Sequence, residues 1–298
     1  MASDDGIRVI FRGVRGGYPA PGPEFVQFGG NTACQEILVG GRTLIFDAGT
    51  GIIGLGRDLL KTAGERRLAI FFSHSHHDHT GGLLYFKPAY LPSTIMSIFG
   101  PQEDSHGILD DLRQLSATAV HPVPLANMGM NFTCAPVDDG DLVLWSPGDD
   151  RPRVAEKGGA ARPGDVAVRI FRNHRHPLCG VLNFRLEYAG RSYVYATDVE
   201  GDGLTGDPEL AEFARGADLM SHDGQYTTEE YERCRRGWGH STVRMAVRTA
   251  QLAGVARLAI IHHEPEYTDA VLERLEREAL EVFPGLFFAR EGQEAVIP

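Results

Sequence analysis

Short apolar runs that read as buried strands recur at 43–46, 68–72, 166–171, 192–196 and 258–261, each too brief for a helix. Elsewhere the period changes. In HSTVRMAVRTAQLAGV, Val243, Ala246, Val247, Ala250 and Ala253 fall at helical spacing and Gly254 closes the pattern. TDAVLERLEREALEVF, at 268–283, carries the second clear helical pattern. Tyr188 to Arg191 reads as a hairpin turn. The stretch 145–165, WSPGDDRPRVAEKGGAARPGD, is rich in glycine, proline and charge, which predicts a flexible surface loop rather than a domain boundary. Strands broken by helices, with no linker and no repeat, predict one layered α/β domain over residues 1–298.

Composition adds limits to this picture. Hydrophobic residues at 42% and charged residues at 23% are ordinary globular usage, enough apolar material for a sizeable core. The 29 Lys and Arg against 40 Asp and Glu give a net charge of -11, and no basic run tracks a phosphate backbone. On that ground a small-molecule substrate is expected and no long nucleic acid. The start, MASDDGIRVIF, lacks the basic and apolar regions of a signal peptide, and no apolar run of about 18 residues occurs. No membrane partner is therefore expected, and the cytoplasm is the expected compartment. Cys34, Cys134, Cys179 and Cys234 form no CxxC pair, which argues against a zinc knuckle or disulfide framework and for mostly buried thiols.

The residues that carry chemistry sit just after the apolar runs. HSHHDHTGG begins at His74 directly behind LAIFF. In extended chain alternate side chains share a face, so His74 and His76 can reach one metal ion, while a tighter turn aims Asp78 and His79 at a second. Further donors follow other runs: Asp47 in TLIFDAGTG, His174 and His176 in NHRHP, Asp198 in SYVYATD, and His262 and His263 in RLAIIHH. Imidazole with carboxylate suits two divalent ions, zinc first, with manganese or iron as alternatives.

This ordered series resembles the ligand series of the metallo-β-lactamase superfamily, and GGNT at Gly29, FDAGTG at Phe46, SHDGQYTTEEY at Ser221 and GWGHST at Gly237 look like its branch of RNase Z and related phosphodiesterases. The resemblance implies an α/β fold, the four-layer αββα metallo-β-lactamase sandwich. It implies that His74, His76 and His176 bind one ion, that Asp78, His79 and His262 bind the other, and that Asp198 bridges them. His176 is preferred to His174 because Pro177 follows it, and His262 to His263 because it directly follows the run. Asp47 is expected to orient a ligating imidazole rather than to ligate. His77, His106, His121, His174 and His263 are read as bystanders, and Glu200 and Asp202 as solvent-facing. Phe86, Tyr90 and Pro122 are candidates for the pocket wall or simply for the core.

The chemistry expected of such a site is hydrolysis through a hydroxide bridging two ions roughly 3.5 to 4 Å apart. Asp78, His240 and Asp223 form the expected catalytic set. The resemblance implies His240 as proton donor to the leaving alkoxide, supported by Asp223 where the family usually has glutamate; the other reading of His240 is a cap for the helix beginning at Ser241. RNase Z enzymes carry a tRNA-gripping arm between the residues matching His176 and Asp198, which here are 22 positions apart. That spacing points to a small or cyclic phosphodiester. The alternatives are a lactonase, thioesterase or β-lactamase on the same fold, and a non-hydrolytic di-iron or metal-binding protein. Members of the branch often dimerise, so a homodimer is among the expected states.

Overall fold

In a computed structural model, residues 6–298 are described, apart from 104–105, 120, 157, 178–179 and 204, so Cys179 lies outside the described residues. The first half of the chain lays down β1 (Ile7–Gly13), β2 (Cys34–Val39), β3 (Arg42–Phe46), β4 (Arg66–Phe71) and β5 (Thr94–Gly100). A two-stranded ribbon, β6 (Gln102–Glu103) and β7 (His106–Gly107), then precedes β8 (Asn131–Pro136). The second half adds β9 (Leu142–Trp145), β10 (Arg153–Val154), β11 (Val166–Asn173), β12 (Val181–Tyr188), β13 (Arg191–Ala196), β14 (Leu219–Asp223), β15 (Leu258–Ile261) and β16 (Leu286–Phe288). The last strand, β17 (Glu294–Ile297), returns to β1. Two sheets result, ordered β17-β1-β2-β3-β4-β5-β8 and β10-β9-β11-β12-β13-β14-β15-β16.

Side-chain alternation explains why the sheets stack. In β3, Leu44 and Phe46 point between the sheets and Ile45 points outward; in β15, Ala259 and Ile261 point inward and Leu258 and Ile260 outward. The inner layer is aromatic, with Phe46 against Phe71, Phe184 and Tyr195 at 5.1 to 5.7 Å between ring centroids. Outside the first sheet lie α1 (Ile52–Leu59) and α3 (Ile108–Leu115), while the single turn α2 (His77–Thr80) follows β4 and carries Asp78 and His79. Outside the second lie α4 (Pro208–Phe213), α6 (Val243–Ala253) and α7 (Asp269–Leu280), with the short α5 (Thr228–Glu230) before α6. This is the αββα sandwich the resemblance implies.

The five expected runs are strands, 258–261 with the expected ends and the other four with shifted ones. β11 continues through polar Arg172 and Asn173 because its ladder to β12 continues to Asn173 opposite Val181. Part of 145–165 is not loop, since β10 pairs with β9. The turn after β12 takes positive φ at both central residues, Ala189 at 49° and Gly190 at 77°, the twist a two-residue hairpin needs. Cys34 is buried as expected, whereas Cys234 is exposed, because it follows the polar α5 segment rather than a core run. Among the described residues no helix is long and apolar enough to cross a membrane. Phe86 is fully buried in the outer cluster over the first sheet, Tyr90 hydrogen-bonds Leu84 O at 2.5 Å, and Pro122 is exposed, so these three build core and surface rather than a pocket wall.

Candidate metal centre

β3 and β4 run parallel, as do β13, β14 and β15, and the carboxyl ends of these strands share one rim with the end of β11. Three residues just past these ends, Asp47, Asp198 and His262, take left-handed φ of 59°, 51° and 60°. Among the described non-glycine residues only the hairpin's Ala189 joins them. Such backbone is costly for a residue with a Cβ and persists where surrounding contacts enforce it, which marks this rim as a place where side-chain direction outweighs strain.

The expected donors converge there in two groups. His74, His76, His176 and Asp198 offer ligand atoms within 4.8 Å of one another, and so do Asp78, His79 and His262. His74 Nε2 lies 3.5 Å from Asp198 Oδ2. The other oxygen, Asp198 Oδ1, lies 3.2 Å from Nε2 of both His79 and His262. Those two nitrogens are 3.3 Å apart, and each is 3.3 Å from Asp78 Oδ2. Asp198 thus turns one oxygen to each group.

The hydrogen bonds fix which nitrogen of each ring faces inward. Nδ1–H of His74 donates to Ser73 Oγ at 3.0 Å, that of His79 to Asp47 at 2.7 Å, that of His176 to Gly239 O at 3.2 Å, and that of His262 to Gln225 Oε1 at 3.0 Å. In all four rings Nε2 is left to point at the cluster, and those of His74 and His176 are buried with no hydrogen-bond partner. Partnerless Nε2 atoms on His74 and His176, and the crowding of the His79 and His262 Nε2 atoms against each other and against two carboxylates, are what a divalent cation satisfies, so these residues fit two ions. Burial holds His74, His76 and His176 below the usual imidazole range. In His79 and His262 burial acts the same way, but the facing carboxylates prevail and lift His79 well above that range and His262 to about 9. Asp78 and Asp198 stay well below the ordinary carboxylate range: burial opposes their charge, and the surrounding imidazoles outweigh it.

Beside the second group, Nδ1–H of His240 donates to Asp223 Oδ2 at 2.8 Å, and the ring stacks on His262 at 4.9 Å. The cap of α6 is Thr242, whose Oγ1 accepts from Met245 N at 3.2 Å, so His240 is not a helix cap. Asp47 accepts from Ser73 N, Ser73 Oγ, His79 and Tyr195 Oη. Among the bystanders, His77, His106 and His174 are exposed. His121 bonds Val123 O at 2.9 Å, and His263, pushed down to about 3 by burial, packs between Phe28 and Phe288.

Several supporting residues escaped the sequence reading. Gly17 N donates to Asp78 at 2.7 Å, and a Cβ on Gly16 would lie 2.3 Å from the His262 ring. Gln225, which holds His262, is itself held by Glu264 at 2.8 Å. Asp202 is exposed as expected, whereas Glu200 is half-buried on the wall of a cleft. Its two oxygens accept from the amides of Gly237 and Gly239 at 2.7 and 2.8 Å, which draws the carboxylate onto the 237–239 turn instead of leaving it free in solvent.

The sandwich and its rim of imidazoles and carboxylates define a metal-dependent hydrolase. The chain belongs to the metallo-β-lactamase superfamily: residues 42–263 match the family described as a beta-lactamase superfamily domain. It is 40% identical to a ribonuclease Z of Gemmatimonas aurantiaca over 278 residues, covering 85% of this chain and 86% of the relative. It is 38% identical to a ribonuclease Z of Haloferax volcanii over 290 residues, 87% of each. Among solved structures, the short form of human tRNase Z superimposes with a TM-score of 0.65 at 19% identity, over 98% of this chain and 99% of that one.

These relatives correct one expectation. The acidic balance argued against a long nucleic-acid partner, yet proteins alike over most of their length are ribonucleases. The physical reason is that net charge averages over the surface. Arg233, Arg235, Arg236 and Arg244 lie within a dozen positions on either side of His240, and Arg175 directly precedes His176.

Proposed function

We propose that the chain hydrolyses nucleotide phosphodiesters. The observation that carries this reading is the His240–Asp223 pair beside the donor cluster. Asp223 holds the Nδ1 proton of His240, so Nε2 is the atom that carries a proton to the departing alkoxide. Asp223 is itself fixed, accepting from Gln225 N at 2.9 Å, and the Gln225 side chain also orients His262. His74, His76, His176 and Asp198 would hold one divalent ion, and Asp78, His79, His262 and Asp198 the other, with zinc favoured by the imidazole-rich set and manganese or iron as alternatives. When bound, the ions would activate water at neutral pH and hold a phosphoryl oxygen. Asp47 keeps His79 turned inward.

Among the described residues between His176 and Asp198, β12, its turn and β13 occupy nearly all the chain, which favours an exposed diester, an RNA end or a cyclic nucleotide, over one gripped by an arm at that place. His240→Ala is expected to lower kcat roughly a hundredfold or more on diesters with ribose leaving groups. It should affect p-nitrophenyl diesters far less, because that leaving group departs without protonation, and it should leave metal content unchanged. Steady-state rates on both substrate types, with elemental analysis, check this. Equal losses on both leaving groups, or turnover of lactones alone, would overturn the reading.

A further inference from the structure

Just before His240 the chain displays a tryptophan. Trp238 is 54% exposed, while the only other tryptophan, Trp145, is 4% exposed. A lone exposed indole is unremarkable in itself; this one is built in. The Arg235 guanidinium lies over its ring at 4.5 Å and also over Tyr226 at 5.4 Å, anchored by Glu230 at 3.2 Å. Gly237 and Gly239, at φ of 82° and 86°, bracket Trp238, and both their amides are pinned by the single carboxylate of Glu200, which also accepts from Tyr231 Oη at 2.6 Å. The turn is locked to the metal centre as well. Gly239 O accepts from His176, and a Cβ on Gly239 would lie 2.4 Å from His176 Nδ1. The indole therefore stands at a fixed position relative to a proposed ligand and to the proton donor two residues on. Tyr226, His240 and His262 continue inward as ring contacts at 5.9 and 4.9 Å. On the flank of the turn, Arg175, Arg236 and Arg244 line a cleft of about 580 Å³ together with Glu200 and Tyr231.

We propose that Trp238, with Arg235 laid on its ring, is a stacking subsite for a nucleobase of the substrate, on the side of the cluster where His240 stands. This rests on the phosphodiesterase reading and names what flanks the scissile bond. A base offers a flat π face to an indole already backed by a cation, and it does so whatever its hydrogen-bonding edge. The subsite consequently separates substrates with a base from those without, rather than one base from another. The rigid turn suits the task, since an ordered platform loses little freedom when the base arrives.

The test compares adenylyl-3′,5′-adenosine with an analogue whose two bases are replaced by hydrogen, on the wild type, Trp238→Ala and Trp238→Phe with zinc bound. The ratio of kcat/KM for the two substrates should fall about tenfold or more in Trp238→Ala, mainly through KM, and Trp238→Phe should retain most of it. Because the ratio is taken within one protein, a general loss of activity does not imitate the result. A second measurement needs no catalysis. Adenosine 5′-monophosphate should quench tryptophan emission saturably in the wild type and not in Trp238→Phe, while ribose 5-phosphate should quench neither. An unchanged ratio, or no quenching by the nucleotide, overturns the subsite even if diesters are hydrolysed. Quenching in a protein that hydrolyses no diester sustains the subsite and sinks the phosphodiesterase reading instead.

Discussion

At the scale of single residues, the cluster depends on side chains whose neighbours are remote in sequence. Gly16 is the sharpest case, because the edge of the His262 ring occupies the space a Cβ would need. Gly16→Ala should push that ring off Gln225 and weaken the second ion by roughly tenfold or more, in the way that loss of an orienting contact weakens a metal site. Elemental analysis after dialysis is then expected to show the ion held by the first group retained and the other depleted, with unchanged far-ultraviolet circular dichroism. Full retention of both would show that His262 is not held as described. The donors themselves were legible, because HSHHDHTGG crowds metal-type side chains behind an apolar run. Gly16, Gln225 and Glu200 were not, since what distinguishes them is a contact across 246, 37 and 37 positions.

At the scale of elements, the hairpin between β12 and β13 was legible as a turn but its strain was not. Ala189 occupies a left-handed position that asparagine or glycine fills at lower cost. Ala189→Asn should therefore stabilise the fold by about 1 kcal/mol, raising Tm by about 2 °C in thermal unfolding, with activity unchanged. A lower Tm would mean the turn tolerates alanine through contacts that asparagine breaks. The helical patterns at α6 and α7 were also readable, since Val243, Ala246 and Ala250 in one, and Leu272, Leu275 and Ala279 in the other, repeat at the period of a face packed on the second sheet. Strands with mixed patterns escaped notice. β8, NFTCAP, is half-exposed and lacks an apolar run, and β14, LMSHD, ends in the polar residues that serve the rim, so function blurred its signal.

At the scale of the whole molecule, an overall charge of -11 coexists with a group of arginines around one cleft, and the two have different consequences. The net charge keeps polyanions off most of the surface, whereas Arg175, Arg236 and Arg244 gather at one cleft, where Glu200, Asp202 and Glu232 stand among them, so a phosphate could settle only on the arginines themselves. Arg175 is also drawn toward Asp207 at 3.6 Å and Arg236 lies over Tyr231 at 5.4 Å, so these cations are held in place by their neighbours. If a single-stranded RNA places a phosphate on each of these three side chains, log KM should rise with log salt at a slope of about 2, near 0.7 per contact. KM for a short RNA would then increase by more than tenfold between about 50 and 200 mM salt, while a cyclic mononucleotide, with its single phosphate, would show a much flatter response. The double variant Arg236→Glu with Arg244→Glu should flatten the RNA curve toward that of the cyclic substrate. An RNA curve as flat as the mononucleotide's in the wild type would show that the arginines take no part in binding, and would leave the acidic surface as the electrostatic feature a substrate encounters.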